Sequence, residues 1–235
     1  MSSPSVTAAR VPPPVVPRRL ALRRGRAALL AAAGALAGFV ALFAYVRAER
    51  TAEIDVAFTL RLQARRHRSL ALLMRAASWP GFPPQSRLIP PLIMAGLWLL
   101  QLRLEAGFQL LAWGTAGLST AIKGLVRRPR PLAEQVRVVI APLGGSSFPS
   151  GHVITYVGTY GFAAYLAYSH LRPAAARRLT VAGLLLLIGL VGPSRVYQGH
   201  HWPTDVTASY LLGLSYLLGL TVLYRRVRTK TVVKG

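Results

Sequence analysis

Three short segments of this chain concentrate residues able to do chemistry: Lys123 with Arg130-Pro131, Pro149-Ser150-Gly151-His152, and Ser194-Arg195 followed by His201 and Asp205. Ser150-Gly151-His152 stands directly before an uncharged run, 153–171. Its backbone N–H groups therefore lie at a helix N-terminus, where unpaired donors and the helix dipole favour an anion. Gly151 lets a phosphate come close to the backbone. Lys123, Arg130 and Arg195 supply fixed cations; guanidinium forks match phosphate oxygens and the ammonium adds a point charge. Together these describe a phosphoryl pocket. His201 and Asp205 are four apart, so on a helix they share a face, and the carboxylate can hold one imidazole nitrogen while the other stays free as a nucleophile. His152 comes from another segment with no acid beside it, which suits it to giving a proton to a leaving oxygen. Two histidines in unequal surroundings imply two roles.

Each element also has a plainer reading. Lys123, Arg127, Arg128 and Arg130 could anchor the chain at a membrane surface, and a Ser-Gly-His turn by itself could simply cap a helix. Asp205 is harder to set aside: it is one of only six acidic residues, and an unpaired carboxylate at a span boundary is costly. A metal held by His200, His201, His152 and Asp205 is disfavoured, because adjacent histidines point apart and the surrounding cations repel a divalent ion. No metal is expected.

The elements that must bring these segments together are apolar. Of 235 residues, 53% are hydrophobic and 15% charged, against roughly 25% charged in soluble domains. Uncharged runs occupy 27–46, 88–102, 106–122, 153–171, 179–193 and 206–224. The first is long enough to cross a bilayer core of about 30 Å, and too long for the roughly 7–15-residue core of a signal peptide. The shorter runs must borrow flanking residues whose Arg side chains reach outward. The pattern predicts an all-α integral membrane protein of six spans, with a domain over 27–224. A basic, Pro-rich tail of 1–26 precedes it and a basic tail of 225–235 follows. Between the first two spans, Ile54, Phe58, Leu62, Leu70, Leu73, Met74 and Ala77 recur at helical spacing among arginines, which predicts an interfacial amphipathic helix or two. The run Trp79-Pro80-Gly81-Phe82-Pro83-Pro84 stops any helix.

An even number of spans places both termini on one side and the three chemistry-bearing loops together on the other. Lysine and arginine divide almost evenly between the sides, and the clusters flanking the first span and the C-terminal end favour termini in the cytoplasm. The 29 basic residues bracket apolar runs instead of forming a separate basic patch, so the expected partner is an anionic bilayer and not nucleic acid. The absence of Cys leaves no disulfide or thiolate chemistry.

Jointly, the three segments resemble the signature motifs of the type 2 phosphatidic acid phosphatase family, membrane lipid phosphatases related to bacterial acid phosphatases and vanadium haloperoxidases. KxxxxxxRP is met by Lys123 with Arg130-Pro131, PSGH by Pro149 to His152, and SRxxxxxHxxxD by Ser194-Arg195, His201 and Asp205. The resemblance implies a helical core over about 88–224 and metal-independent, cofactor-free hydrolysis of a lipid phosphate. His201 would form a phosphohistidine, Asp205 would orient it, and His152 would protonate the leaving group and later activate water. Lys123, Arg130, Ser150, Gly151 and Arg195 would bind the phosphoryl oxygens. It also implies a multi-pass protein of the bacterial cytoplasmic membrane with its site on the extracytoplasmic face. Undecaprenyl pyrophosphate is the first expected substrate. Phosphatidylglycerol phosphate or phosphatidate is the alternative, and a noncatalytic lipid-binding or transport protein is the rival from another class. The small residues Gly158, Gly161, Ala163 and Ala164 allow either a groove for a long tail or close helix packing.

Overall fold

The computed structural model describes residues 18–139 and 144–233. These form nine α-helices: α1 Arg18–Arg47, α2 Ala52–Gln63, α3 Arg68–Ser78, α4 Gln85–Leu99, α5 Arg103–Trp113, α6 Thr115–Leu125, α7 Gly151–His170, α8 Ala174–Tyr197 and α9 Pro203–Val233. A single 3-10 turn, Trp79–Gly81, follows α3.

Of the expected N-terminal tail, 1–17 lie outside the described residues, whereas 18–26 are the first turns of α1. Pro17 is the last proline before the Leu/Ala/Arg-rich stretch, whose strong helix formers outweigh its scattered glycines. At the other end, α9 continues through 225–233, because no proline or glycine interrupts it. Among the described residues, three helices are long and apolar enough to cross a membrane by length and composition: Leu22–Arg47, Ala174–Tyr197 and Pro203–Lys230. Leu30, Leu99 and Leu179 are 74%, 78% and 75% exposed, an outward apolar surface suited to hydrocarbon and not to water.

The run at 106–122, read as one helix, is bent into α5 and α6 at Gly114. Thr115 Oγ1 donates to the Ala112 carbonyl at 2.9 Å and Tyr216 O–H to the Leu111 carbonyl at 2.7 Å. Side chains thus take up carbonyls that the bend loosens from the helical ladder. The bend also lets α7 in. A Cβ on Gly158 would sit 2.5 Å from the Ala112 carbonyl oxygen, so glycine there serves close packing.

α7 is the central helix, packed on α5, α6, α8 and α9, with Val153, Ile154 and Phe162 fully buried. α2 has its polarity reversed with respect to a soluble helix. Asp55, Thr59 and Gln63 face inward and are buried, while Ile54 and Phe58 are 66% and 54% exposed. Gln63 closes the inner face: its Nε2 donates to the Arg137 and Tyr197 carbonyls at 2.7 and 3.0 Å, and its Oε1 accepts from Arg137 N–H at 2.9 Å.

Candidate active site

Helix ends and the loops between them build the site. α6 carries Lys123 in its C-terminal turn and Ser119 one turn earlier, the N-terminal turn of α7 carries Gly151 and His152, the last turn of α8 carries Arg195, and α9 opens two residues before Asp205. The loop through 128–130 lies beside 146–148: Ser147 N–H donates to the Arg128 carbonyl at 2.9 Å and Ser147 Oγ to the Pro129 carbonyl at 3.0 Å. Trp202 Nε1 donates to the same Pro129 carbonyl at 3.1 Å. Ser150 N–H donates to Ser209 Oγ at 2.7 Å, and Ser209 Oγ to the Asp205 carbonyl at 2.7 Å, tying the start of α7 to α9. Between α8 and α9 the chain reverses at Gly199. Its φ of +70° and its approach to the Arg137 carbonyl admit no side chain.

A cavity of about 490 Å³ joins Lys123, Arg130, Gly151, His152, Arg195 and His201. Among the described residues, polar atoms buried without a hydrogen-bond partner gather at this cavity: Ser119 Oγ, Ser150 Oγ, His152 Nε2, Thr159 Oγ1, Arg130 Nε, and Nε and one terminal nitrogen of Arg195. Native proteins leave few such atoms unmet, and a cluster of donors around one cavity calls for an anion or a polar group to satisfy them. A Cβ on Gly151 would meet Ser119 Oγ at 3.5 Å and Lys123 Nζ at 3.9 Å, so it would occupy the space these donors share.

His201 is 2% exposed, and its Nδ1 lies 2.7 Å from the Ser147 carbonyl. A carbonyl can only accept, so Nδ1 carries the proton and Nε2 holds the lone pair. Arg130 stands 3.4 Å from Nε2. Burial, then Arg130, Arg195 and Lys123, hold His201 well below the ordinary histidine range, so it is neutral at pH 7. By spacing, Asp205 can hold one imidazole nitrogen of His201. Its Oδ2 is 3.6 Å from Nδ1 and instead accepts from Trp202 N–H at 2.8 Å. The carboxylate faces the imidazole electrostatically, and the hydrogen bond belongs to Ser147.

Arg195 is fully buried. It pairs through one terminal nitrogen with His200 Nδ1 and lies 4.8 Å over the Phe82 ring, a cation–π contact. Burial and Arg195 lower His200 to about 3, so it accepts as a neutral ring. Phe82 also meets His152 edge-on at 4.8 Å, and a side chain on Gly81 would overlap that histidine. Burial and Arg130 lower Lys123, just beyond the 106–122 run, to about 8, while burial lowers Arg130. Ser194 serves packing: Ser78 Oγ is 2.6 Å from its Oγ, which donates to the Val191 carbonyl.

The PAP2 superfamily profile matches residues 105–229, more than half of the chain. The chain belongs to the PAP2 superfamily. A curated relative, phosphatidylglycerophosphatase B of Bacillus subtilis (strain 168), is 33% identical over 137 residues, covering 55% of this chain and 64% of that protein, just under two thirds of its length. The crystal structure of a transmembrane PAP2 type phosphatidylglycerolphosphate phosphatase from Bacillus subtilis superposes with a TM-score of 0.74 at 24% identity, over 83% of this chain and 96% of the other. That of Aquifex aeolicus LpxE gives 0.56 at 24%, over 72% and 94%. The fold of this PAP2 protein is therefore that of known members.

All eight residues singled out from the motifs meet around or directly behind one cavity. Spacing did not reveal Ser119, one helical turn before Lys123, although an i, i+4 reading of α6 places it on the lysine's face. It also did not reveal Phe82, hidden in a Pro-rich turn that registered only as a helix stop, or Arg128, Asp55 and Thr204. Arg128 bridges two buried carboxylates: one terminal nitrogen reaches Asp205 Oδ1 at 2.5 Å, the other Asp55 Oδ2 at 2.6 Å.

Proposed function

We propose that this PAP2 protein is a membrane lipid phosphatase acting through a phosphohistidine, and that it crosses the bilayer six times with α5 and α6 as one bent pass. One observation carries the reading: a neutral, buried imidazole with its lone pair on Nε2 shares a cavity with fixed cations and unpartnered donors. Lys123, Arg130, Arg195, Ser150 and the backbone at Gly151 bind the phosphoryl oxygens and stabilise charge as it spreads in the transition state. His201 Nε2 attacks phosphorus as the bond to the ester oxygen breaks. His152 gives that oxygen its proton, so the lipid leaves as an alcohol. His152, now unprotonated, takes a proton from water. The resulting hydroxide attacks the phosphorus, the Nε2–P bond breaks, and inorganic phosphate and free His201 are restored.

Helix directions support a common face for the loops: α7 and α9 start at the site, and α6 and α8 end there. With the termini in the cytoplasm, that face is outside a bacterial cytoplasmic membrane. For the substrate, the relative's name favours phosphatidylglycerol phosphate over undecaprenyl pyrophosphate, the first choice from sequence. Ser119, Thr155 and Thr159 carry the cavity down α6 and α7 as a hydroxyl-lined arm, which suits the polar glycerol between a terminal phosphate and its tails.

Phosphate release by the purified chain in detergent with excess EDTA tests this, comparing phosphatidylglycerol phosphate, undecaprenyl pyrophosphate and phosphatidate beside His201→Ala. Turnover in EDTA, greatest on the first lipid and lost in the variant, is the expected result. Lipid binding by folded protein with no turnover of any substrate would replace the enzyme with a noncatalytic lipid-binding protein.

A further inference from the structure

Asp55 belongs to α2, outside the 105–229 stretch that matches the family, yet it reaches the start of α9. It is fully buried. Its Oδ1 accepts from Thr204 N–H at 3.0 Å, and its Oδ2 from Thr204 Oγ1 at 2.8 Å and from Arg128 at 2.6 Å. Thr204 directly precedes Asp205. The other terminal nitrogen of Arg128 donates to Asp205 Oδ1 at 2.5 Å and to Thr204 Oγ1 at 2.8 Å, while Thr51 Oγ1, at 2.9 Å, helps hold the guanidinium on the α2 side. A planar fork held by two anchors fixes the plane of the carboxylate at its far end.

We propose that Asp55 is a positioning residue for Asp205, and through Asp205 for His201, acting by way of Arg128 and Thr204; this rests on the phosphatase reading above. Two effects combine. The first is geometric. With Arg128 anchored on Asp55, Asp205 meets it through Oδ1 alone, which leaves Oδ2 on Trp202 N–H and 3.6 Å from His201 Nδ1. Released from Asp55, the guanidinium is free to take both carboxylate oxygens and turn Oδ2 from the imidazole. The second is electrostatic. One guanidinium between two carboxylates leaves a net negative charge. That charge sits behind a ring that becomes positive as the Nε2–P bond forms, in surroundings where burial strengthens the interaction. Asp55 touches neither substrate space nor cavity lining, so its influence falls on the chemical step and not on phosphate binding.

A double-mutant cycle on the full chain in detergent tests this, with turnover and the affinity for inorganic phosphate as readouts. Asp55→Asn is expected to lower kcat roughly 10- to 100-fold, the range for loss of a group that orients a reacting residue. Affinity for inorganic phosphate, which reports ground-state binding, should stay within about threefold or tighten slightly, since a negative charge has left the neighbourhood of an anion site. In an Asp205→Asn background the same change should cost under about twofold, because the residue it acts through is gone. Asp55→Glu keeps the charge, displaced by one methylene. It should show a smaller loss with the same non-additivity, and it carries the cycle if Asp55→Asn does not fold. Equal losses in both backgrounds, or inorganic phosphate binding that falls along with turnover, would overturn the proposal in favour of a purely structural triad. His201→Ala runs alongside: full activity there removes the phosphohistidine reading itself, whatever the Asp55 cycle gives.

Discussion

Each end of this bundle buries a carboxylate beside a histidine, and the two pairs have little else in common. At the site end, Asp205 faces His201 at 3.6 Å. At the other end of α7, roughly 27 Å away at 1.5 Å per residue, Glu105 of α5 meets His170 at 3.4 Å and accepts from Tyr224 O–H at 2.7 Å. Rings of Phe108, Phe162 and Tyr165 surround Tyr224 at 5.2, 5.6 and 5.8 Å. Neither Glu105 nor Tyr224 has a buried side-chain atom without a partner, and none of these residues lines the site's cavity. A carboxylate–histidine pair is thus not a site in itself. The site end differs in having fixed cations, donors left unmet and an open volume they share. The far end, saturated and closed by aromatic packing, ties α5, α7 and α9 together.

The sharpest demand of this contrast is on turnover. His201→Ala should reduce phosphate release by about 10⁴-fold or more, since it deletes the nucleophile, whereas His170→Ala should leave kcat within about threefold. Steady-state release at saturating lipid measures both, and comparable losses would mean that the far pair takes part in the reaction. Next in size is His152→Ala. General acid catalysis contributes roughly 10² to 10⁴-fold, and that loss should appear in full with an alkyl phosphate. With nitrophenyl phosphate, whose leaving group needs no proton, most of it should vanish. Equal losses on both would take away the proton-donor role.

What could be read from the chain follows the same division. Lys123, Arg130, Ser150, Gly151, His152, Arg195, His201 and Asp205 carry their chemistry in residue type and local spacing, and helix ends bring them together. Asp55 and Arg128 are 73 positions apart, and nothing local marks either; only the fold brings α2 against the loop after α6 and makes them neighbours. The apolar period of α2 is legible in the sequence, but the use of its polar face is not: Ile54 and Phe58 are exposed while the stripe Asp55, Thr59 and Gln63 turns inward and is buried. The bend between α5 and α6 depends on Thr115 and Tyr216 giving protons to specific carbonyls, one from a distant helix. The pair at the far end was equally hidden, since Glu105 and His170 lie on different helices and neither belongs to a motif.

A smaller effect comes from pH. Lys123, lowered to about 8 by burial and Arg130, is charged below that pH and neutral above it. A bound dianion favours the charged form, so vanadate affinity should be level below pH 8 and weaken above it by up to about tenfold per unit, as linkage requires for one proton. Lys123→Arg keeps its charge throughout and should flatten the profile between pH 8 and 10. If the decline persists in that variant, another group is titrating.

The smallest effect on activity belongs to the closed end. Tyr224→Phe keeps the ring and its aromatic contacts but removes the 2.7 Å donor to Glu105. A buried carboxylate that loses a partner costs about 1–3 kcal/mol, more if it stays ionised. His170, 3.4 Å from the same oxygen, can recover part of that only by turning toward it. Since the site lies at the opposite end of α7 and α9, kcat and vanadate affinity should match the parent protein, while the half-life of heat inactivation in detergent shortens several-fold. Glu105→Gln with Tyr224→Phe should shorten it less than the sum of the two, because the second change removes a partner the first has already weakened. A loss of kcat at a temperature where both variants stay folded would show that the two ends are coupled, and that α7 transmits more than rigidity.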